Sequence, residues 1–218
     1  MISDWIDDDV LTICVDMSGL PGYLAVDPTR AMADELGVEI QWLPLTSGLD
    51  RYSARTPNED PDDPLAAYKA RRRRARDRYA RLELERNCQR LNLSIEQGSR
   101  LFDPAAAAIA LLWARKCEQD PAIFVREVFE AGFRRGEPVE EPGAIKKLLA
   151  ICNVPLDGFD EYRETVAGTE LDSLQTLLID TGAFISPAYL YKGERFLGRE
   201  HLPLICWYLS GQKDPPPV

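Results

Sequence analysis

Two short apolar runs flank a helical segment near the start of this chain, and two more, joined by a tight turn, precede a helix at its end. Val10 to Val15, VLTICV, is apolar and β-branched and reads as a buried strand. Asp16-Met17-Ser18-Gly19-Leu20-Pro21-Gly22 breaks it with turn residues. In the helix that follows, Asp27 can serve as N-cap with Pro28 at the first helical position. Alternatively the helix begins earlier, near Tyr23, and Pro28 kinks it. Gly37 closes the helix, and Val38 to Leu43, VEIQWL, forms a second strand ended by Pro44. So short a strand–helix–strand unit joins parallel strands. At the other end Ala188–Tyr191 and Arg195–Leu197 form a hairpin about Lys192-Gly193, and Arg199 to Leu209 is an apolar-faced helix.

The stretch between is helical in pattern. Residues 46–64, rich in Ser, Asp, Asn and Pro, read as a loop. Helices follow from about 65 to 152. In the first, Tyr68, Ala75, Tyr79 and Leu82 fall on one stripe with Arg between them. Ala105 to Cys117 is entered at Asp103-Pro104. Pro121 to Arg134 offers Ile123, Phe124, Val128 and Phe129 as apolar contacts. Glu141-Pro142 opens a helix ending near Cys152-Asn153, and residues 157–167 and 171–182 are helical again, with Gly182 as the stop. The order βαβ, helices, ββα predicts an α/β chain: a thioredoxin fold (βαβ…ββα) with an α-helical domain inserted between its halves. The expected boundaries are 1–45 and 155–212 for the thioredoxin-like domain, 46–154 for the loop and helical insertion, and 213–218 for a fraying tail.

Charge is unevenly spread. The net charge is -10, which argues against nucleic-acid binding over the whole surface. Residues 1–63 hold 14 acidic and 3 basic residues, whereas residues 64–90 hold 10 basic and 3 acidic. Arg71, Arg72, Arg73, Arg74, Arg76, Arg78 and Arg81 cover nearly every face of one helix. Such a run is a solvated surface, an anion-attracting rim over a cleft, or a nucleic-acid contact; the last lacks interleaved aromatics beyond Tyr68 and Tyr79. Met1 to Asp9 carries four Asp and no Lys or Arg, the wrong charge for a signal peptide, so a cytoplasmic protein is expected. No apolar run reaches the ~18 residues of a membrane span. The five cysteines, Cys14, Cys88, Cys117, Cys152 and Cys206, form no C-x-x-C and no zinc spacing. They read as reduced, separate thiols, mostly buried as small apolar side chains, and no metal is expected.

Two segments resemble a known family. Residues 15–45, VDMSGLPGYLAVDPTRAMADELGVEIQWLPL, give a strand, an Asp, a short turn, Tyr-Leu-Ala on a helix and a second strand ending in Pro. Residues 182–209, GAFISPAYLYKGERFLGREHLPLICWYL, give Gly-x-Phe-x-x-Pro, a hairpin, Phe-x-Gly, a charged pair and an amphipathic helix. This pattern is similar to that of the DsbA-like thioredoxin-fold family, nearest its 2-hydroxychromene-2-carboxylate isomerases and kappa-class glutathione transferases. The resemblance implies a cis Ser186-Pro187 bond whose flanking backbone pairs with glutathione as though adding a strand. It further implies a hydroxyl at the start of the first helix that donates to the glutathione sulfur and holds it as thiolate. Counting along the motif, that position falls on Gly19, and Ser18 lies one residue earlier. Either the loop is shifted and Ser18 serves, or the site has lost its hydroxyl and Ser18 bonds nearby backbone. Arg199 and Glu200 match the family's charged pair, where Glu200 meets the glutathione amino group or simply answers the helix dipole. His201, the sole histidine, is more often structural in such a position, and Tyr23 lines a substrate pocket or joins the core.

With no cysteine between Gly19 and Gly22, dithiol–disulfide exchange is excluded at this place. The resemblance implies a glutathione-dependent isomerase or transferase acting on a hydrophobic or aromatic small molecule. In that reading Ser18 is catalytic and Gly19, Ser186, Pro187, Arg199 and Glu200 bind glutathione. The alternative is a catalytically inactive binding protein on the same fold. The family often dimerises, so a homodimer through the helical insertion is a further expectation.

Overall fold

A computed structural model describes residues 5–46, 65–213 and 215–217. Residues 47–64 of the loop expected at 46–64, residues 1–4, Asp214 and Val218 lie outside the described residues. Strand β1 (Leu11–Val15) has every side chain buried. It pairs in parallel with β2 (Ile40–Pro44), Ile13 opposite Trp42, and antiparallel with β3 (Ala188–Tyr191), Ile13 opposite Tyr189. A hairpin adds β4 (Glu194–Leu197), so the sheet order is β2-β1-β3-β4. Lys192 and Gly193 both have positive φ (49° and 77°), the geometry a two-residue hairpin turn requires.

Helix α1 spans Leu20–Leu36 and encloses Pro28. The Asp27-Pro28 pair is therefore not its start. The buried side chains of Leu20, Tyr23 and Val26 draw the helix eight residues further upstream, to a Gly19 cap, and Asp27 pairs with Arg126 at 3.2 Å instead. Gly37 ends the helix in the left-handed region, as its position predicts.

The connection from β2 to β3 is helical among the described residues: α2 (Ala66–Leu91), α3 (Ile95–Gly98), α4 (Ala105–Lys116), α5 (Pro121–Phe129), α6 (Pro142–Ile151), α7 (Phe159–Thr165) and α8 (Ala167–Asp180). A 3-10 turn (Arg199–His201) leads into α9 (Leu202–Leu209). Helix α1 packs on α2, α5 and α9, and α4 lies against β2 and α8. One continuous core runs from β1 through the Ala-rich α4 to Phe124, Val128 and Phe129 of α5. The stripe on α2 does not join it: Tyr68, Tyr79 and Leu82 are 62%, 63% and 49% exposed, and Cys88 is the buried residue of that helix. Ile123 likewise faces outward, because α5 turns Phe124 and Val128 inward.

Helix α5 passes without a break into a π-helical turn, Glu130–Arg135. Such wide turns re-aim side chains that a regular helix would place elsewhere. Here Glu130 and Arg134 both reach Tyr23 on α1. The helices of the described residues include none long and apolar enough to cross a membrane.

Candidate functional site

The turn after β1 is organised by Asp16, a buried carboxylate. Its Oδ1 accepts two bonds from Ser18, from the backbone N–H at 2.9 Å and from the hydroxyl at 2.6 Å. An Asp followed two residues later by Ser makes this compact side-chain turn readily. The short hydroxyl–carboxylate bond is charge-assisted, and Ser18 is only 7% exposed. Ser18→Ala is therefore expected to cost about 1–3 kcal/mol, since it removes one partner of a buried charge. Urea unfolding of the variant measures this, and an unchanged midpoint contradicts it.

Gly19 then caps α1 with an extended backbone (φ -123°, ψ 133°) and no side-chain bond. Its N–H donates to the Asp16 carbonyl, and its own carbonyl accepts from Gly22 and Tyr23. Pro21 carries no N–H, so Leu20 holds the remaining amide of the first helical turn; it has no partner among the described residues. A Cβ added at Gly19 would meet only Pro21 Cδ at 3.7 Å and the Asp16 carbonyl at 3.9 Å. Space for a serine at position 19 therefore exists, although the chain does not use it.

The opposite wall comes from the far end of the sequence. The Asp16 N–H donates to Ser186 Oγ at 2.8 Å, and the Ser186-Pro187 peptide bond is cis. Among the described residues no hydrogen bond engages the Ser186 N–H or C=O. The Pro187 carbonyl accepts from the Gly198 N–H at 2.8 Å, which ties the proline edge to the turn carrying Arg199 and Glu200. A single hydrogen-bonded path thus connects Ser18, Asp16, Ser186, Pro187 and Gly198. Glu200 is exposed, and its carboxylate folds back over the Gly198 α-carbon: a Cβ there would lie 2.3 Å from Glu200 Oε2. Tyr189, next along β3, is pushed up to about 12 by burial, against the lowering effects of the Thr29 hydroxyl and the Arg199 charge. His201 packs its ring on Phe196 at 6.0 Å between centroids, a contact that fills space without addressing Ser18.

Sequence reasoning placed Tyr23 either on a pocket wall or in the core. The structure puts its ring parallel to Phe129, 4.9 Å between centroids. Its hydroxyl donates to the Glu130 carboxylate and accepts from Arg134 Nε at 3.1 Å. Burial, then the bond to Glu130, push the phenol up to about 12, so it stays protonated at neutral pH. Arg134 also donates to the Leu91 carbonyl at 2.5 Å and pairs with Glu130 at 2.9 Å. One guanidinium thereby fastens the C-terminal end of α2 to the helix that follows the site turn. Asp16 and this clamp were not singled out from sequence. The Asp-x-Ser step after a strand was a local signal for the first, whereas the clamp depends on the π turn and has none.

No metal-ligating group of three or more His, Cys, Asp or Glu occurs among the described residues. Cys14 and Cys88 are buried and the other three thiols are half-buried and free. Burial pushes Cys14 up to about 12, which leaves it an inert thiol in the sheet.

The fold as a whole matches solved structures. A 2-hydroxychromene-2-carboxylate isomerase superposes with a TM-score of 0.64 at 14% identity, covering 94% of this chain and 100% of that one. The chain has the DsbA-like thioredoxin fold. A probable DsbA oxidoreductase from Streptomyces coelicolor superposes with a TM-score of 0.65 at 12% identity, covering 95% of this chain and 92% of that one. The cytosolic disulfide reductase DsbM from Pseudomonas aeruginosa, solved with GSH, gives 0.58 at 16% identity, covering 93% and 98%. No family model matches the sequence, and no curated protein is similar to it in sequence. Within this DsbA-like fold, helices occupy the described chain between β2 and β3 from Ala66 to Asp180.

Proposed function

We propose that the chain binds glutathione along the Ser186–Pro187 edge and uses it as an isomerase or transferase acting on a hydrophobic, aromatic small molecule. The observation that carries this reading is the bond from the Asp16 N–H to Ser186 Oγ. It holds the start of α1 against a strand-like edge whose Ser186 amide and carbonyl are open. An extended tripeptide can pair with such an edge as an added strand. Its sulfur would then lie at the Ser18–Gly19 turn, near the open Leu20 N–H. Arg199 suits a glutathione carboxylate, and Glu200 suits its ammonium group. Two of the similar structures support this reading, one being an isomerase and one a reductase solved with GSH.

A second reading has its own observation. The Ser18 hydrogen is committed to Asp16, and Gly19 supplies no hydroxyl. A site so arranged can hold the thiol peptide without ionising its sulfur, which describes a binding protein without catalysis.

Calorimetric titration with glutathione tests the shared part: binding at millimolar concentration or below is expected, and absence of heat at that level contradicts both readings. Ultraviolet thiolate absorbance of the bound peptide then separates them. Absorbance in the native chain that Ser18→Ala abolishes supports the enzyme. Absorbance that appears only in Gly19→Ser supports the binding protein. The Gly19→Ser chain should fold at least as well as the native one, because Ser is a favoured N-cap and gains a few tenths of a kcal/mol over Gly.

A further inference from the structure

Helix α2 and a cleft at the far end of the sheet are complementary surfaces of one molecule. Residues 64–90 carry a net charge of +7 in a chain whose total is -10. Arg71, Arg72, Arg74, Arg76 and Arg78 are exposed and make no ion pair among the described residues. The local acids are partly committed within the helix, Glu85 to Arg81 and Glu83 to Arg86. Between the arginines, Tyr68, Ala75, Tyr79 and Leu82 recur at spacings of seven, four and three, which is one seam of a helix. Two of these side chains are aromatic and more than 60% exposed. A duplex backbone takes no such apolar seam, whereas a protein surface does.

The complement lies between the C-terminal half of α1, the start of β2 and the α4–α5 connection. This cleft has a volume of about 710 Å³, with Asp7, Asp34, Glu39, Glu118 and Asp120 outnumbering Arg30 and Arg115 on its walls and Trp42 among its apolar lining. Arg30 engages one of the five carboxylates, Asp120, at 3.5 Å. The other four are exposed and make no ion pair among the described residues. A second α2 cannot fill this role for the first, since two helices of the same strong charge repel.

We infer that α2 of one copy docks into the acidic cleft of a second copy, with the arginines meeting Asp34, Glu39 and Glu118 and the tyrosine seam covering the apolar lining. This contact is independent of the glutathione reading. Because its charges are exposed, it is strongly screened by salt.

Sedimentation velocity on the full chain tests it. At about 0.01 M salt, where the Debye length is about 30 Å, the native chain should sediment above its monomer mass, and at about 1 M, where that length is about 3 Å, as a monomer. The monomer mass is 24.6 kDa. R72E/R76E and E39K/E118K should each be monomeric at low salt, and the chain carrying all four changes should associate again. Circular dichroism checks that each variant folds; all four positions are exposed, so effects within about 0.5 kcal/mol are expected. A native chain that stays monomeric at low salt overturns the inference, as does one whose association ignores both variant sets. Loss of single-stranded oligonucleotide binding in R72E/R76E, with mass unchanged from the native chain, also overturns it and assigns the helix to nucleic acid.

Discussion

Gly22→Ala should unfold at a temperature about 5–10 °C below the native chain, a loss of about 2–3 kcal/mol for a domain of this size. Alanine is the better helix former by about 1 kcal/mol, so propensity alone predicts the opposite sign. Space decides the matter. A Cβ at position 22 would lie 2.7 Å from the Asp16 carbonyl oxygen, 2.9 Å from Val15 Cγ2 and 3.1 Å from Phe129 Cζ. The first of these is backbone in the site turn, which cannot swing aside as a flexible side chain can. Relief requires α1 to move off β1, and the Gly19 cap moves with it. Glutathione affinity should therefore fall together with stability. Gly168→Ala in α8 is the control, because nothing stands within 4 Å of the added carbon; it should raise stability by about 0.5–1 kcal/mol. A Gly22→Ala chain as stable as the native one would contradict the close approach of α1 to the turn.

The second large effect concerns how the helical region meets the same turn. A Cβ on Gly98 of α3 would stand 2.2 Å from Cys88 Sγ on α2 and 3.1 Å from Leu20 Cδ1 at the start of α1. Gly98→Ala should cost about 2–4 kcal/mol, in the upper range of overpacking penalties. Cys88→Ala alone removes one buried sulfur and should cost about 1 kcal/mol. Together the two changes should not add: deleting the sulfur opens the space the new methyl needs, and a coupling of at least about 1 kcal/mol is expected from denaturant midpoints. Simple additivity would mean that α2 and α3 do not meet at Cys88 and Gly98. Through Leu20 this contact seats the helical region against the turn that carries Ser18 and Gly19.

The sheet was legible because its signals are local. VLTICV has the composition of a buried strand, and the Lys192-Gly193 turn sits between two apolar pairs that align as β3 and β4. The start of α1 was harder. Asp27-Pro28 has the chemistry of a helix N-terminus, and nothing local reveals that Asp27 will instead pair with Arg126, 99 positions on. The tyrosine stripe on α2 was visible as a stripe, but periodicity does not say whether a partner lies in the same chain; Tyr68 and Tyr79 remain exposed.

At the site, sequence named the residues from both ends of the chain, and the structure joins them through Asp16, a residue it had used only as a landmark. The one-residue offset at Ser18 could not be resolved from spacing. It turns on which acceptor the hydroxyl finds, and that acceptor is the Asp16 carboxylate two residues earlier. The π turn that aims Glu130 and Arg134 at Tyr23 leaves no mark in composition, since its residues would also suit a regular helix.

The most direct test of the account is an amide NMR titration of the full chain with glutathione. Shifts concentrated at Gly19, Leu20, Ser186 and the Gly198–Glu200 turn are predicted, saturating together as one site fills. Resonances there that stay still at millimolar peptide, or shifts that gather instead around Trp42 and Glu118, would contradict it.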